Sequence, residues 1–132
     1  MNLIVCLDNK NGYSFALRRQ SKDRVQLEKM LDMVGDKRLL VNEYTSKLFE
    51  NNPKNLIVCE NPLKTAGDED FCFIENLDIC DADINKVIIY RWNRHYPSDK
   101  KLSDNLLKNK KIVSSTEFAG NSHEKITQEV YE

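Results

Sequence analysis

The segment Leu3-Ile4-Val5-Cys6-Leu7 is a short apolar run that ends at Asp8, just before the turn-forming residues around Gly12. An uninterrupted apolar run of this length is typical of a strand that is covered on both faces. At the other end of the chain, Ile126-Thr127-Gln128-Glu129-Val130-Tyr131 has a two-residue period of apolar and polar side chains, which predicts another strand. Both ends of the chain are therefore expected to be integral strands of a sheet.

The clearest element between these ends is an amphipathic helix that follows a predicted long loop at 8–20. Ser21 is a suitable N-cap, Asp23 places a carboxylate in the first turn, and Gly35 ends the apolar periodicity. The apolar positions at helical spacing are Leu27, Met30, Leu31 and Val34. A second, shorter helix is predicted from its cap at Asn42 to about residue 51.

The other predicted strands are 38–41, 55–59, 70–75, 86–92 and 112–115. The strand at 86–92 has the strongest signal because it is rich in β-branched and aromatic residues. Strand–helix–strand order occurs early in the chain, and strands alone occur later. This order predicts an α/β fold with a mainly parallel central sheet and antiparallel C-terminal strands.

The composition predicts one domain, 1–132, located in the cytoplasm. The 132 residues are 40% apolar, which suffices for one compact core. Charged residues make up 31% and sum to a net charge of −1, so no overall field would attract nucleic acid or an acidic membrane. The amino-terminal apolar run is too short for a secretory segment, and no segment has the length of a membrane span.

The four cysteines are Cys6, Cys59, Cys72 and Cys80, and they include no C-x-x-C pair and lie near no histidine cluster. Zinc sites normally show such spacing. We therefore expect buried free thiols, and we predict neither a metal site nor a bound cofactor.

The two ends of the chain and the order of elements between them resemble the dihydrofolate reductases over nearly the whole length. The pattern Asp8-x-Asn-x-x-Gly12 is similar to the start of the family's active-site loop, and Asp23 stands where the family has its single catalytic-site carboxylate. The turn Val41-Asn42-Glu43-Tyr44-Thr45 falls on the family's Met-Gly-Arg-x-Thr turn for cofactor phosphate, of which only Thr45 is kept. The resemblance implies a dihydrofolate reductase-like fold with ligand contacts near Asp23 and Thr45.

Three departures from the family pattern argue against the reductase activity. Pro53 stands where the family has an arginine for the folate tail, and Glu60 stands where it has serine or arginine beside the cofactor 2′-phosphate. A carboxylate at that position would repel a phosphate. The segment 76–85 stands in place of the family's helix, Gly-Gly strand and pyrophosphate-facing helix. The chain is therefore predicted not to be an NADPH-dependent reductase.

Asp23 has two interpretations. A carboxylate in the first turn of a helix is stabilised by the backbone N–H groups and the helix dipole without any further function. The other interpretation is a retained ligand-binding carboxylate. The neighbouring Arg18, Arg19, Lys22 and Arg24 favour a paired and ionised Asp23.

The basic cluster Arg18-Arg19-Gln20-Ser21-Lys22-Asp23-Arg24 also has two interpretations. Guanidinium groups at a loop-to-helix junction, beside free backbone donors, make an anion site, and a solvated charged turn is the alternative. The predicted ligand-binding residues are Arg18, Arg19, Asp23 and Thr45. No residue is predicted to be catalytic, because His123-Glu124 has no serine, cysteine or second carboxylate at a telling spacing.

The sequence leaves three functional hypotheses. The first is a non-reductase binding or interaction protein with an anionic small molecule or a protein as its partner. The second is an enzyme that acts on an anionic metabolite or nucleotide in the cleft beside Asp23 and the basic cluster. The third is RNA binding, because Tyr90-Arg91-Trp92-Asn93-Arg94-His95-Tyr96 interleaves aromatic and basic residues. Alternation along a strand favours a core position for Tyr90 and Trp92 instead.

Overall fold

The fold is described by a computed structural model that covers residues 1–80 and 83–132. In chain order its elements are β1 (Asn2–Leu7), β2 (Gly12–Phe15), β3 (Arg18–Arg19), α1 (Arg24–Val34), β4 (Leu39–Val41), α2 (Glu43–Ser46), β5 (Leu56–Val58), α3 (Pro62–Thr65), β6 (Phe71–Phe73), β7 (Lys86–Arg91), β8 (Lys100–Lys101), a 3-10 helix (Asp104–Leu106), β9 (Ile112–Phe118) and β10 (Ile126–Tyr131).

Seven of the strands form one sheet in the order β5-β4-β6-β1-β7-β10-β9. The first five strands in this order are parallel, and β10 is antiparallel to both β7 and β9. The predicted class, an α/β fold with a mainly parallel sheet and antiparallel C-terminal strands, is thereby confirmed. The terminal segment is an integral strand, because β10 pairs on both of its sides.

The core lies on both faces of this sheet. Successive side chains of β1 point to opposite faces, so Leu3 and Val5 join one buried cluster while Ile4 joins the other. The second cluster contains Met30 and Val34 of α1. The apolar run that opens the chain is therefore covered on both faces, as its composition predicts.

The predicted loop at 8–20 is wrong, because it contains the hairpin β2–β3. These two strands and β8 form a small antiparallel sheet in the order β3-β2-β8. The hairpin turn is made by Ala16 and Leu17, whose φ angles are 52° and 62°. Short hairpin turns normally carry Asn or Gly at such positions, so the sequence lacks the usual signal.

Several predicted boundaries also change. The N-cap of α1 is Asp23 rather than Ser21, and α2 ends at Ser46 instead of continuing to about residue 51. Asn42 does cap α2, since its side-chain oxygen accepts a hydrogen bond from the Thr45 N–H at 3.0 Å. The short helix α3, Pro62–Thr65, lies between the predicted strands 55–59 and 70–75.

The connection from β6 to β7 includes residues 81 and 82, which lie outside the described residues. The described part of the segment 76–85 contains no helix and no strand. The described residues also include no helix long and apolar enough to cross a membrane.

The cysteines are all free thiols, but only Cys72 is buried. Cys6 and Cys59 are half-buried and Cys80 is exposed, so the expectation of buried thiols is wrong for three of the four. Burial raises the pKa of the Cys72 thiol to about 12. In the described ranges, no group of three or more histidine, cysteine or acidic side chains is arranged to hold a metal ion.

Candidate functional site

The first part of the site is built around Asp23, which is 2% exposed at the amino end of α1. Its Oδ1 accepts hydrogen bonds from the backbone N–H groups of Val25 at 2.9 Å and Gln26 at 3.2 Å. These are two of the N–H groups that a helix cannot satisfy internally. The amino end of α1 is therefore already occupied by an anion, which is the helix's own capping carboxylate.

A loop at 119–123 supplies the remaining donors to Asp23. Its Oδ2 accepts hydrogen bonds from the backbone N–H groups of Asn121 at 2.9 Å and Ser122 at 2.8 Å, and lies 3.0 Å from His123 Nδ1. The loop can come this close to Asp23 only with glycine at position 120. A Cβ on Gly120 would lie 2.6 Å from Asp23 Oδ2 and 2.8 Å from the His123 carbonyl oxygen.

The electrostatics of Asp23 favour its ionised form. Burial acts to raise its pKa, but the hydrogen bonds from Asn121, His123, Ser122 and Gln26 outweigh that effect and hold the pKa well below its ordinary value. Because the ionised carboxylate can only accept, His123 Nδ1 carries a proton and donates it to Asp23.

His123 is 4% exposed and connects Asp23 to two hydroxyl groups. Nδ1 faces Asp23, and Nε2 lies 3.2 Å from Ser21 Oγ and 3.0 Å from the Tyr96 hydroxyl. In the neutral ring Nε2 is the acceptor. The Trp92 ring stacks on the imidazole with the ring centroids 4.4 Å apart. A carboxylate, an imidazole and a hydroxyl in this order can move a proton from the hydroxyl to the ring.

The second part of the site is built around Glu75, whose side chain is 6% exposed just beyond the carboxyl end of β6. Arg19 donates to both of its oxygens, at 2.8 and 3.1 Å, and the Thr45 hydroxyl donates to Oε1 at 2.8 Å. The Arg19 guanidinium also lies 4.3 Å from the centre of the Tyr44 ring. Burial acts to lower the pKa of Arg19, and the contact with Glu75 more than offsets this and raises it.

A small cavity of about 10 Å³ lies where the two parts meet. It is lined by Cys6, Tyr13, Arg19, Gln20, Ser21, Phe73, Ile74, Glu75 and Trp92. This volume is about that of one water position. Open α/β sheets bind their ligands outside the carboxyl ends of the strands. Here that crevice is filled by the protein's own side chains.

An open groove of about 560 Å³ lies on the other side of the Asp23 cap, between α1 and residues 47–53. Its apolar lining consists of Leu27, Leu31, Leu48, Phe49 and Pro53. Its charged lining consists of Lys22, Asp23, Arg24, Glu28, Lys47 and Glu50. The groove has the size of a small-molecule site.

The four residues predicted to bind a ligand do not form one site. Arg18 is exposed, whereas Arg19 points inward to Glu75, because adjacent residues of a strand face opposite sides. Thr45 is fully buried in the Glu75 cluster. Asp23 is paired and ionised as expected, but its partners are His123 and backbone N–H groups rather than the neighbouring basic side chains.

Sequence reasoning missed the roles of His123, Ser21 and Glu75. Ser21 and His123 are 102 positions apart, and Arg19 and Glu75 are 56 positions apart. Residues so far apart in the chain form no local sequence motif that would predict their pairing. The expected core positions of Tyr90 and Trp92 are confirmed at 0% and 2% exposure, so neither ring is available to stack on a base.

Comparison with known proteins adds no family assignment. No protein-family model matches this chain, and no curated protein matches its sequence. The dihydrofolate reductase-like identity therefore stays a prediction, and the function has to be argued from the geometry of the site.

Proposed function

We propose that this chain is a binding protein, and not an NADPH-dependent reductase, whose ligand is a small amphipathic anion held in the groove between α1 and residues 47–53. The observation that carries this proposal is the contrast between the crevice at the carboxyl ends of the strands and this groove, named the α1 groove. The crevice at the carboxyl ends of the strands is filled by the ion pair of Arg19 and Glu75, whereas the α1 groove is open.

The lining of the groove defines the chemistry of the ligand. Leu31 and Phe49 offer apolar contact, which favours a hydrophobic body. Lys22 and Lys47 have no carboxylate within 4.0 Å in the part of the chain that the structure describes, while Arg24 has Glu28 at 3.9 Å. The other acidic side chains of the lining are Asp23, whose oxygens already accept hydrogen bonds from α1 and the loop at 119–123, and Glu50. Lys22 and Lys47 are therefore the cations left to meet a negative group of the ligand.

The filled crevice supports the absence of NADPH binding. A dinucleotide needs close approach of its phosphates to backbone N–H groups at a helix end. The amino end of α1 is instead capped by Asp23, and the Thr45 hydroxyl is used by Glu75. We expect no saturable NADPH binding by calorimetry, and micromolar affinity would overturn this part of the proposal.

A fluorescence titration with 8-anilinonaphthalene-1-sulfonate, an apolar ring system with one sulfonate, tests the groove. The folded protein should bind this probe saturably, and Leu31→Glu should remove the binding because it places a carboxylate in the apolar lining. Val113→Glu is the matched control, since Val113 is a 54% exposed apolar residue on the edge strand β9. Equal binding by the Leu31→Glu protein would contradict the proposal.

An enzyme is the second candidate, favoured by the alignment of Asp23, His123 and Ser21. In such an enzyme Ser21 Oγ would attack a carbonyl group while His123 Nε2 takes the hydroxyl proton. Labelling with a fluorophosphonate, followed by peptide mass spectrometry, tests this candidate. An adduct on Ser21 that disappears in His123→Gln would support it, and an unlabelled Ser21 would exclude it.

A further inference from the structure

The buried carboxylate of Glu75 is neutralised by a cation from a separate hairpin. Within the described ranges, the only basic side chain within 4.0 Å of Glu75 is Arg19 of β3, and its side chain is 22% exposed. A buried carboxylate without a cation is strongly unfavourable. The Glu75 site therefore requires a positive group, and the chain supplies one from outside the main sheet.

The groups around the Arg19 guanidinium would make the same contacts with any planar cation of similar shape. Glu75 accepts two parallel hydrogen bonds at 2.8 and 3.1 Å, which is the fork geometry of amidinium and guanidinium groups. The Tyr44 ring stacks against the cation at 4.3 Å from its centroid. Gln20 Oε1, which is buried, has no hydrogen-bond partner in the described part of the chain, and Gln20 borders the adjoining 10 Å³ cavity. Gln20 Oε1 can therefore accept a hydrogen bond from an N–H group of a ligand.

The position of this cluster is the place where an α/β sheet binds ligands. Glu75 follows β6 and Thr45 lies in α2, which follows β4, so both project from the carboxyl ends of adjacent parallel strands. Ligands of open α/β sheets bind in the crevice outside these ends. In this protein the crevice contains Arg19.

The segment that carries Arg19 is held by hydrogen bonds rather than by burial of apolar side chains. The Arg19 N–H donates to the Tyr44 hydroxyl at 3.0 Å, and the Leu17 carbonyl oxygen accepts from Asn76 at 3.0 Å. The β2–β3 pairing involves only Ser14 with Arg19 and Phe15 with Arg18. The tip exposes 49% of Phe15 and 65% of Leu17, so little apolar surface is lost from the core when it moves. Leu17 also adopts a left-handed φ of 62°, which a branched side chain disfavours.

We propose that the Glu75 site is a binding site for a planar organic cation, an amidinium or guanidinium, that takes the place of Arg19 while β3 moves aside. The cation would form the paired hydrogen bonds with Glu75 and stack on Tyr44. Arg19 is then an internal competitor that keeps the buried carboxylate neutralised when no ligand is bound. This site is independent of the α1 groove, because the two share no lining residue.

Calorimetry and backbone amide NMR with benzamidinium as the probe test this exchange. The unsubstituted protein should bind benzamidinium saturably, with amide shifts concentrated at residues 14–20 and at Glu75. Arg19→Ala should bind the probe roughly tenfold or more tightly, because the internal competitor is gone. Glu75→Gln should lose the binding. Benzylammonium has the same charge without the planar fork, and should bind at least about tenfold more weakly than benzamidinium.

Arg38→Ala is the matched control, because Arg38 makes the same kind of pair with Asp70 at the opposite end of β6. This variant should bind benzamidinium with unchanged affinity. Binding by Arg19→Ala but not by the unsubstituted protein would overturn the exchange, as would unchanged binding in Glu75→Gln. If Arg19→Ala does not fold, Arg19→Met keeps the apolar stem of the side chain and is measured in its place.

Discussion

The two ends of β6 carry the same kind of ion pair, and the pairs differ in the exposure of the arginine. At the amino end, Arg38 donates to both oxygens of Asp70, and the two side chains are 55% and 10% exposed. At the carboxyl end, Arg19 donates to both oxygens of Glu75, and only 22% and 6% of these side chains are exposed.

Two ion pairs with the same hydrogen-bond geometry can therefore contribute differently to the stability of the fold. Water and salt reach the Arg38 guanidinium and screen its attraction to Asp70, so the net contribution of that pair to stability is small. The buried pair has lost its hydration, so each partner depends on the other for its stability. The cover over the carboxyl end, formed by the hairpin β2–β3, creates this difference.

Of the substitutions at the two ion pairs, Glu75→Ala should lower the unfolding free energy the most. It leaves the Arg19 guanidinium half-buried without its carboxylate and also removes the acceptor of the Thr45 hydroxyl. Loss of one partner from a buried pair costs roughly 3 kcal/mol of unfolding free energy. Urea denaturation measures this value, and a loss below about 1 kcal/mol, typical of exposed pairs, would mean that the Glu75 pair behaves like a surface pair.

Gly120→Ala should break the other buried carboxylate site, that of Asp23, without removing any of its donors. The added Cβ would lie 2.6 Å from Asp23 Oδ2, so the loop at 119–123 must move away from α1. Such overpacking costs roughly 1–3 kcal/mol. The thermal midpoint should fall accordingly, and the chemical shifts of the His123 ring should change. Gly67→Ala is the control, because its Cβ would meet only Asp70 Oδ2, at 3.5 Å.

The pH dependence of the unfolding free energy should report the contribution of the ionised Asp23 carboxylate. Its folded-state pKa is lowered, so its contribution is complete above the unfolded pKa of about 3.9 and is lost as the pH falls below that value toward the folded pKa. One such group changes the stability by at most about 1.4 kcal/mol per pH unit. Urea denaturation between neutral pH and strongly acidic pH should therefore show a shallower acid decline for Asp23→Asn. The same decline in Asp23→Asn as in the parent protein would contradict this, and Asp36→Asn, at an exposed position, serves as the control.

A double-mutant cycle at the amino end of β6 should give the smallest of these free-energy changes. Arg38 holds the pKa of Asp70 below its ordinary range, but the guanidinium is exposed to solvent. The coupling between Arg38→Ala and Asp70→Ala should be about 0–1 kcal/mol and should decrease in high salt. A coupling as large as that between Arg19 and Glu75 would remove the difference between the two ends.

Local patterns predicted the elements whose signal lies within a few residues. The apolar run of β1 and the periodicity of α1 up to Gly35 follow from burial on two faces and on one face, respectively. The strand β10 was also predicted with its observed bounds. The β2–β3 hairpin was missed because Ala16 and Leu17 make its turn without the residues that usually mark one.

The α/β class, the central strand and the first helix follow from local sequence patterns, since these elements depend on which side chains must leave water. The sequence also supplied Asp23, Arg19 and Thr45 as candidate residues, but not their partners. The pairing of Asp23 with His123, 100 positions away, and of Arg19 with Glu75 arises only when the chain folds. The physical reason is that local propensity acts over one turn or one strand, whereas a buried charge selects its partner from whatever the folded chain brings within hydrogen-bonding distance.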